Sequence, residues 1–334
     1  MRLHQQPLAQ TQYAASECEL SATNLSSSPA AMAEDSRRHA PDGLRNRFSW
    51  LVKNIAFFIY LYCGYVQLRD AVLALLGRSR AVVLYYHRIG TADVLTKPAV
   101  EFGRDLEYLK RRYRCVSLAE LCEKIKANAP LRRRAVVITF DDGYRDNFLE
   151  AAPLLKAARV PATFFVATGF IGTDREFAHD LRDGVPGSRG EGGRYPKLQW
   201  DDLRAMQAGG FEIAAHTVNH TNLGAARQDV VGIEVTASLA ALNRELGVRP
   251  RAFSFPWGKP EDISAAAVLA VKQAGYYSAA SAYGGANGRG SDLFDIRRVD
   301  VGNGNLGRLA FKARVAGFDP DYVKLRVRSW LSRR

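Results

Sequence analysis

Two short stretches of the sequence place carboxylates or imidazoles directly after an apolar run. Asp141 and Asp142 follow the first run, and His216 and His220 follow the second. Adjacent carboxylates at the end of a buried strand are costly to desolvate unless they are paired or bind a metal. Two imidazoles four residues apart can bind one cation if the chain between them is helical. The pattern favours a metal site in which one carboxylate is a ligand while the other holds a proton. A helix cap at the acidic pair is the simpler alternative.

A third stretch, Pro256-Trp257-Gly258, follows the apolar residues 252–255. A turn of this composition can simply close the rim of a sheet. It can also place the backbone N–H and the ring of Trp257 beside a sugar. Taken alone, the stretch does not decide between these two interpretations.

The elements that must position these residues are short apolar runs that alternate with amphipathic helices. Continuous apolar runs are typical of strands buried in a parallel sheet. The clearest helix has apolar residues at 4-4-3-4 spacing between Val231 and Leu246. About seven strands alternating with helices predict an α/β barrel or a doubly wound sheet. The predicted strands are 81–86, 135–140, 162–167, 211–215, 252–255, 276–280 and 296–301.

The order of these motifs resembles the polysaccharide deacetylase family, also called the NodB-homology domain or carbohydrate esterase family four. The resemblance covers residues 81 to about 302 and is carried by Thr139-Phe140-Asp141-Asp142-Gly143-Tyr144, His216-Thr217-Val218-Asn219-His220 and Phe255-Pro256-Trp257-Gly258. The start, Tyr85-Tyr86-His87-Arg88-Ile89, is similar to the branch that modifies bacterial exopolysaccharides. The resemblance implies a distorted (β/α)7 barrel. It also implies a hydrolase that removes acetyl groups, most often N-acetyl groups, from amino sugars.

The resemblance also implies roles for individual residues. Asp142, His216 and His220 would bind one divalent metal, and Asp141 would be the general base. Zinc is the expected ion, and Co²⁺, Ni²⁺ and Mn²⁺ are alternatives at a carboxylate–imidazole site.

The substrate side of the site is implied by the same resemblance. The backbone N–H of Trp257 would stabilise the oxyanion together with the metal. Tyr144 and Pro256 would lie against the substrate, which is expected to be an acetylated amino-sugar glycan.

The sequence departs from the family pattern at two roles. Ser254 stands where many members have an arginine that orients the base, and Arg297 or Arg298 are the candidates to replace it. No histidine follows His220, so the usual general acid is missing from its usual place. We predict that His87, at the end of the first strand, takes that role. A catalytically impaired carbohydrate-binding homologue is the alternative function.

The composition sets the limits of the domains. With 334 residues, of which 47% are hydrophobic and 24% charged, the chain is long enough for one large core or two modest ones. Residues 1–46 lack apolar periodicity and are predicted to be a disordered leader. Residues 47–80 are predicted to form a basic amphipathic or membrane-interface helix, residues 81–320 the barrel, and residues 321–334 a basic amphipathic helix.

The net charge of +13 favours acidic partners. The basic amphipathic ends favour the anionic surface of a bacterial inner membrane, and no apolar core of a signal peptide is evident. Nucleic acid is not expected, because the charge is concentrated at the ends and no nucleic-acid motif is present. Four scattered cysteines indicate neither a disulfide framework nor a thiolate zinc site. The sequence leaves open the glycan, the oligomeric state, and whether the acetyl group is on nitrogen or oxygen.

Overall fold

A computed structural model describes residues 43–90, 96–131, 134–182, 195–247, 249–302 and 307–331. Of the predicted leader 1–46, residues 1–42 lie outside this range. Contacts divide the chain into two units, Met1–Trp50 and Leu51–Arg334.

The second unit is built on a parallel sheet that curls into a nearly closed barrel. Seven strands follow one another around the sheet, in the order 298–300, 81–86, 135–140, 162–166, 212–215, 252–254 and 278–280. A parallel bridge between Ala280 and Ile296 brings the two ends of the sheet together. The predicted distorted (β/α)7 barrel is therefore confirmed. Every predicted strand is present, several shortened at their ends. The strands are β1 (Ala81–Tyr86), β2 (Arg88–Gly90), β3 (Thr96–Pro98), β4 (Arg114–Cys115), β5 (Ala135–Phe140), β6 (Ala162–Val166), β7 (Glu212–Ala215), β8 (Ala252–Ser254), β9 (Ser278–Ala280) and β10 (Arg298–Asp300).

Strand register decides which residues meet at the carboxyl edge of the barrel. β5 is buried along its whole length, as expected for a strand covered on both faces. Tyr86 at the end of β1 pairs with Phe140 at the end of β5, and the Asp141 N–H donates to the Tyr86 carbonyl at 2.9 Å. His87 and Asp141 therefore follow their strands at the same level of the barrel, as a shared role in one site requires.

Helices cover the strands and form the second layer. In chain order they are α1 (Gly43–Tyr62), α2 (Tyr65–Leu75), α3 (Ala99–Arg112), α4 (Leu118–Lys126), α5 (Ala152–Ala158), α6 (Ala178–Arg182), α7 (Trp200–Ala208), α8 (Gln228–Leu246), α9 (Ala265–Gln273), α10 (Arg308–Val315) and α11 (Pro320–Leu331). A π-helical turn, Asn147–Ala151, leads into α5. The predicted helix around 231–246 is confirmed, and its buried stripe includes Val231, Val235 and Leu242.

Residues 172–198 contain Gly, Arg, Asp and Pro with almost no apolar spacing, a pattern that predicts an inserted surface loop. This insertion is in part a packed element. It contains α6, and Phe177 and Lys197 at its two sides are buried. Residues 183–194 lie outside the described range.

The segments predicted as helices at 47–80 and 321–334 correspond to three helices, α1, α2 and α11. The helix predicted at 47–80 is interrupted after Tyr62, so that α1 and α2 are separate, and α1 begins at Gly43. The described residues contain no single helix long and apolar enough to cross a membrane. By length and composition alone, the pair Leu51–Tyr62 and Tyr65–Leu75, bent by 45°, passes that test together.

Candidate active site

Asp141 follows β5 and is held by a buried arginine. Arg298 of β10 donates from both terminal nitrogens to the two carboxylate oxygens, at 2.6 and 2.8 Å. It also donates to the Ser254 hydroxyl at 2.7 Å. Arg298 is fully buried, and such forked contacts are the strong form of a charge-assisted hydrogen bond. Of the two arginine candidates, Arg298 contacts the carboxylate, whereas Arg297 pairs with Asp295.

Asp142, the next residue, is fully buried and has a φ of 76°. This left-handed backbone is unfavourable for a residue with a Cβ. The two carboxylates have different partners, because Asp141 contacts Arg298 whereas Asp142 lies near His216 and His220. Neither carboxylate oxygen accepts a hydrogen bond from the described residues. A buried carboxylate without such donors is costly unless a cation neutralises it.

His216 and His220 bring their Nε2 atoms to the same oxygen of Asp142. The distances to Asp142 Oδ1 are 3.5 Å for His216 and 3.3 Å for His220. The Nδ1 of His216 lies 2.8 Å from the Ser254 carbonyl, a contact that makes Nδ1 the donor and leaves the Nε2 lone pair free.

The loop between the two histidines is not helical, contrary to the condition set by their spacing. Thr217 and His220 have φ values of 65° and 55°, and these left-handed residues bring the imidazoles together instead. Glu234 of α8 fixes the loop, because its Oε2 accepts from the backbone N–H groups of Val218 and Asn219, both at 2.8 Å. Sequence reasoning missed Glu234. The available signal was a glutamate within the apolar stripe of a helix.

His179 of the insertion approaches the other oxygen of Asp142. Its Nε2 lies 3.4 Å from Asp142 Oδ2 and 2.9 Å from the Tyr144 hydroxyl. Asp180 accepts from the same hydroxyl at 2.8 Å and from buried Arg88 at 2.6 Å. Sequence reasoning gave His179 little weight, because the insertion shows no periodicity that would place it.

Two sets of three ligand atoms therefore compete as the metal site. The atoms of Asp142, His179 and His220 all lie within 4.8 Å of one another, whereas the set predicted from the sequence contains His216 in place of His179. Zinc–nitrogen and zinc–oxygen bonds are about 2.0–2.1 Å long, so two ligands at a tetrahedral angle are about 3.3–3.4 Å apart. The distances from Asp142 to His216 (3.5 Å), His220 (3.3 Å) and His179 (3.4 Å) are all close to this value. The residues present therefore fit a divalent metal, and these distances do not choose between the two sets.

The imidazoles differ in the direction in which their pKa is displaced. Burial lowers the pKa of His216, and it lowers that of His220 to about 3. Both rings are thus neutral, which is the form that binds metals. Burial also opposes the charged form of His179, but the nearby Asp142 carboxylate outweighs it and raises the pKa of His179. His179 is accordingly suited to donate to Asp142, and His216 and His220 are suited to be ligands.

The pKa of Asp141 is also displaced. Burial alone would raise it, but the charge of Arg298 lowers it further than burial raises it, and the net pKa lies below its usual value. Asp141 is therefore ionised at neutral pH and is available as a proton acceptor.

These residues surround a cavity of about 260 Å³. His87 lines it beside Asp141, with its ring 6.5 Å from that of His179. Trp257 forms the opposite rim and is 40% exposed, and Tyr144 lines the wall. Pro256, predicted to lie against the substrate, is buried and is not among the described residues that line the cavity.

The turn at Trp257 explains its Pro-aromatic-Gly sequence. Trp257 and Gly258 both have left-handed φ values, 63° and 62°. A Cβ added at Gly258 would lie 2.7 Å from the backbone nitrogen of Ala282, so only glycine fits there.

Comparison with known proteins identifies the family of the central part of the chain. The sequence profile described as polysaccharide deacetylase matches residues 128–279. Those residues belong to the polysaccharide deacetylase family. The domain is accordingly that of a hydrolase, and the matched range contains the acidic pair, the histidine pair and Trp257. His87 and Arg298 lie outside it.

Individual relatives are distant in sequence. YxkH of Bacillus subtilis, named as a polysaccharide deacetylase, is 24% identical over 69% of this chain and 74% of its own length. The poly-beta-1,6-N-acetyl-D-glucosamine N-deacetylase of Escherichia coli is 24% identical over 49% of this chain, a match that spans only 27% of the E. coli protein.

Solved structures support the fold. IcaB from Ammonifex degensii has a TM-score of 0.59 at 23% identity and covers 71% of this chain and 97% of its own. The Streptococcus pyogenes deacetylase PplD, in complex with acetate, has a TM-score of 0.58 at 20% identity over 71% and 98%.

Proposed function

We propose that this polysaccharide deacetylase is a metal-dependent enzyme that removes acetyl groups, chiefly N-acetyl groups, from amino sugars of a bacterial exopolysaccharide or cell-wall glycan. One observation carries the proposal. The buried Asp142 faces two neutral imidazoles at metal-ligand spacing, and the adjacent Asp141 is kept ionised by Arg298. The names of the E. coli and S. epidermidis relatives support the amino-sugar substrate.

In this proposal Asp142, His216 and His220 hold the metal. When bound, the metal supplies a Lewis acid that lowers the pKa of a coordinated water and polarises the acetyl carbonyl. His179 lies 3.4 Å from the second oxygen of Asp142, and in this proposal it keeps the first oxygen directed at His216 and His220. Outer contacts of this kind orient ligands and tune their affinity.

Asp141 is the general base. It accepts the proton released as a water oxygen bonds to the acetyl carbon, and Arg298 fixes the carboxylate in place for that transfer. His87 lines the same cavity and, in its protonated form, gives a proton to the departing sugar amine as the carbon–nitrogen bond breaks. The products are acetate and a free amino sugar.

The remaining wall of the cavity binds the substrate. Trp257 has a left-handed backbone conformation. We assign the backbone N–H of Trp257 to the developing oxyanion. The exposed Trp257 ring offers an apolar face to a sugar ring. Tyr144 contacts His179 and Asp180, so its principal role is to position the insertion.

The experiment is acetate release from N-acetylglucosamine oligomers by protein stripped with a chelator and reloaded with Zn²⁺, Co²⁺, Ni²⁺ or Mn²⁺. We expect release that depends on added metal, and a parallel O-acetylated substrate tests whether the amide is preferred. Asp142→Asn should lose both metal and activity, whereas Asp141→Asn should keep the metal and lose at least about a hundredfold in rate. Oligomer binding without acetate release under any of the four metals would instead identify a carbohydrate-binding homologue.

His87 requires its own variant. His87→Ala should keep the metal content and lower turnover by about a hundredfold or more. Turnover within about threefold of the parent would show that another group protonates the amine.

A further inference from the structure

The exposed apolar side chains of the protein are concentrated on three helices. Of the twenty-one large apolar side chains exposed in the described residues, fifteen belong to α1, α2, the residue after α2, and α11. Exposed single residues are common on soluble proteins, but a contiguous group usually marks an interaction surface. The fifteen are Leu51, Val52, Ile55, Phe58, Ile59, Tyr62, Tyr65, Leu68, Val72, Leu75, Leu76, Val323, Val327, Trp330 and Leu331.

These side chains form stripes at helical spacing. In α1 the exposed residues recur at 51, 55, 58 and 62, and in α2 they recur at 65, 68, 72 and 75. In α11 they recur at 323, 327 and 330. Spacings of three and four residues place each set on one face of its helix.

The opposite faces of α1 and α2 already pack on the domain. Phe57, Leu61 and Val66 are buried against α10 and the residue that follows it, and Phe57 meets Phe318 edge-on at 5.5 Å between ring centroids. The Tyr60 hydroxyl donates to the Ala316 carbonyl at 2.9 Å. One face of α1 and of α2 is therefore already packed on the domain, and the exposed stripes lie on the outer faces of these helices.

The helices α2 and α11, which carry two of the stripes, lie near each other. Arg69 and Leu73 of α2 line the same cavity as Tyr322 in the first turn of α11. α11 also borders the substrate side of the barrel, because Lys324 and Leu325 line a second cavity that shares Tyr85 with the catalytic one.

The net positive charge of the segments that carry these helices favours an anionic partner. In residues 47–80 and again in residues 321–334, basic side chains outnumber acidic ones five to one. Two copies of such a surface would repel each other, whereas an anionic lipid surface attracts it. The combination of apolar stripes and basic flanks is that of helices lying in a bilayer interface.

We propose that α1, α2 and α11 form a bilayer-binding surface, with their apolar stripes inserted at the headgroup boundary of an anionic leaflet. The buried face of the α1–α2 pair stays on the domain, so the pair lies on the membrane and does not cross it. Because α11 borders the catalytic side, binding holds the cavity close to the leaflet.

The test is co-sedimentation of the full chain with vesicles of phosphatidylethanolamine and phosphatidylglycerol, with pure phosphatidylcholine vesicles as the neutral comparison. We expect binding to the anionic vesicles that weakens as salt is added. The triple variant Ile55→Ser, Phe58→Ser, Ile59→Ser should bind at least about tenfold more weakly. The matched control is Leu149→Ser, Ile233→Ser, Leu269→Ser, three equally exposed apolar residues on other helical segments, and it should bind as the parent does.

Three results would overturn this proposal. The first is failure of the parent to bind anionic vesicles, and the second is an equal loss of binding in the two triple variants. A concentration-dependent dimer in sedimentation velocity that only the Ile55, Phe58, Ile59 variant abolishes, without vesicle binding, would assign the surface to a second copy. Acetate release from a soluble oligomer should be unchanged in both triple variants, so this outcome is separate from that of the proposed function.

Discussion

The contact between Arg298 and Asp141 makes a prediction about stability as well as catalysis. Both side chains are buried, and Arg298→Met would leave the Asp141 carboxylate without its guanidinium while nearly conserving side-chain volume. Removing one partner of a buried ion pair costs about 3–5 kcal/mol, because the other charge stays desolvated. Since the pair also holds Asp141 ionised and oriented, turnover at pH 7 should fall by about a hundredfold or more.

The loss of unfolding free energy caused by Arg298→Met should depend on pH in a defined direction. The pKa of Asp141 is lower in the folded protein than in the unfolded chain. A group of this kind stabilises the fold above its unfolded pKa, and the contribution is lost as the pH falls through the folded value. The difference in unfolding free energy between parent and Arg298→Met should thus be largest near neutral pH and shrink below about pH 4.

The assay is urea unfolding followed by circular dichroism at neutral and acidic pH, together with acetate release. Arg297→Met is the matched control, because Arg297 is the adjacent residue and pairs with Asp295 at a partly exposed site, where ion pairs contribute about 0–1 kcal/mol. Arg298→Lys keeps the positive charge but loses the forked guanidinium contact. Its free energy of unfolding and its rate of acetate release should lie between those of the parent and Arg298→Met. If Arg298→Met unfolds within about 1 kcal/mol of Arg297→Met at pH 7, the burial argument fails.

Two further predictions concern the metal. His216→Ala should weaken zinc binding by more than about a hundredfold in competition with a chromophoric chelator, whereas His179→Ala, an outer contact of Asp142, should cost about 10–100-fold. The reverse order would make His179 the ligand in place of His216. Glu234→Gln should lower zinc affinity about 10–100-fold by loosening the histidine loop, although Glu234 touches no substrate. Glu245→Gln, near the end of the same helix and paired with Arg204, is its control and should leave zinc affinity unchanged.

The convergence of the acidic and histidine pairs could be predicted because it depends on strand topology. Parallel strands bring their carboxyl ends to one edge, so residues following β5 and β7 must lie near each other whatever the loops do. The manner of convergence could not be predicted. Spacing suggested a helical turn between His216 and His220, but left-handed residues and Glu234 achieve the same result.

Other features depended on details that periodicity does not fix. Arg297 and Arg298 are neighbours in an extended segment, so one must face inward and the other outward, and a shift of one residue exchanges them. His179 lies in an insertion without apolar spacing, and its position depends on the ion pair between Asp180 and Arg88. Long-range pairs of this kind leave no local pattern in a sequence.

The backbone at the site shows why these long-range contacts are needed. Four of the six non-glycine residues with left-handed φ in the described chain are Asp142, Thr217, His220 and Trp257. His220 and Trp257 line the cavity, Thr217 lies in the loop that supplies the histidines, and Asp142 follows the cavity residue Asp141. Each such residue costs about 1–3 kcal/mol and persists only where its surroundings determine it. Glu234 anchors the loop after Thr217, and hydrogen bonds from Ala167 to the Asp142 carbonyl and from Ala282 to the Gly258 carbonyl hold the other two turns. The ligand geometry is thus imposed by contacts from other elements. Removing one of these contacts should therefore lower metal affinity more than it lowers the stability of the fold.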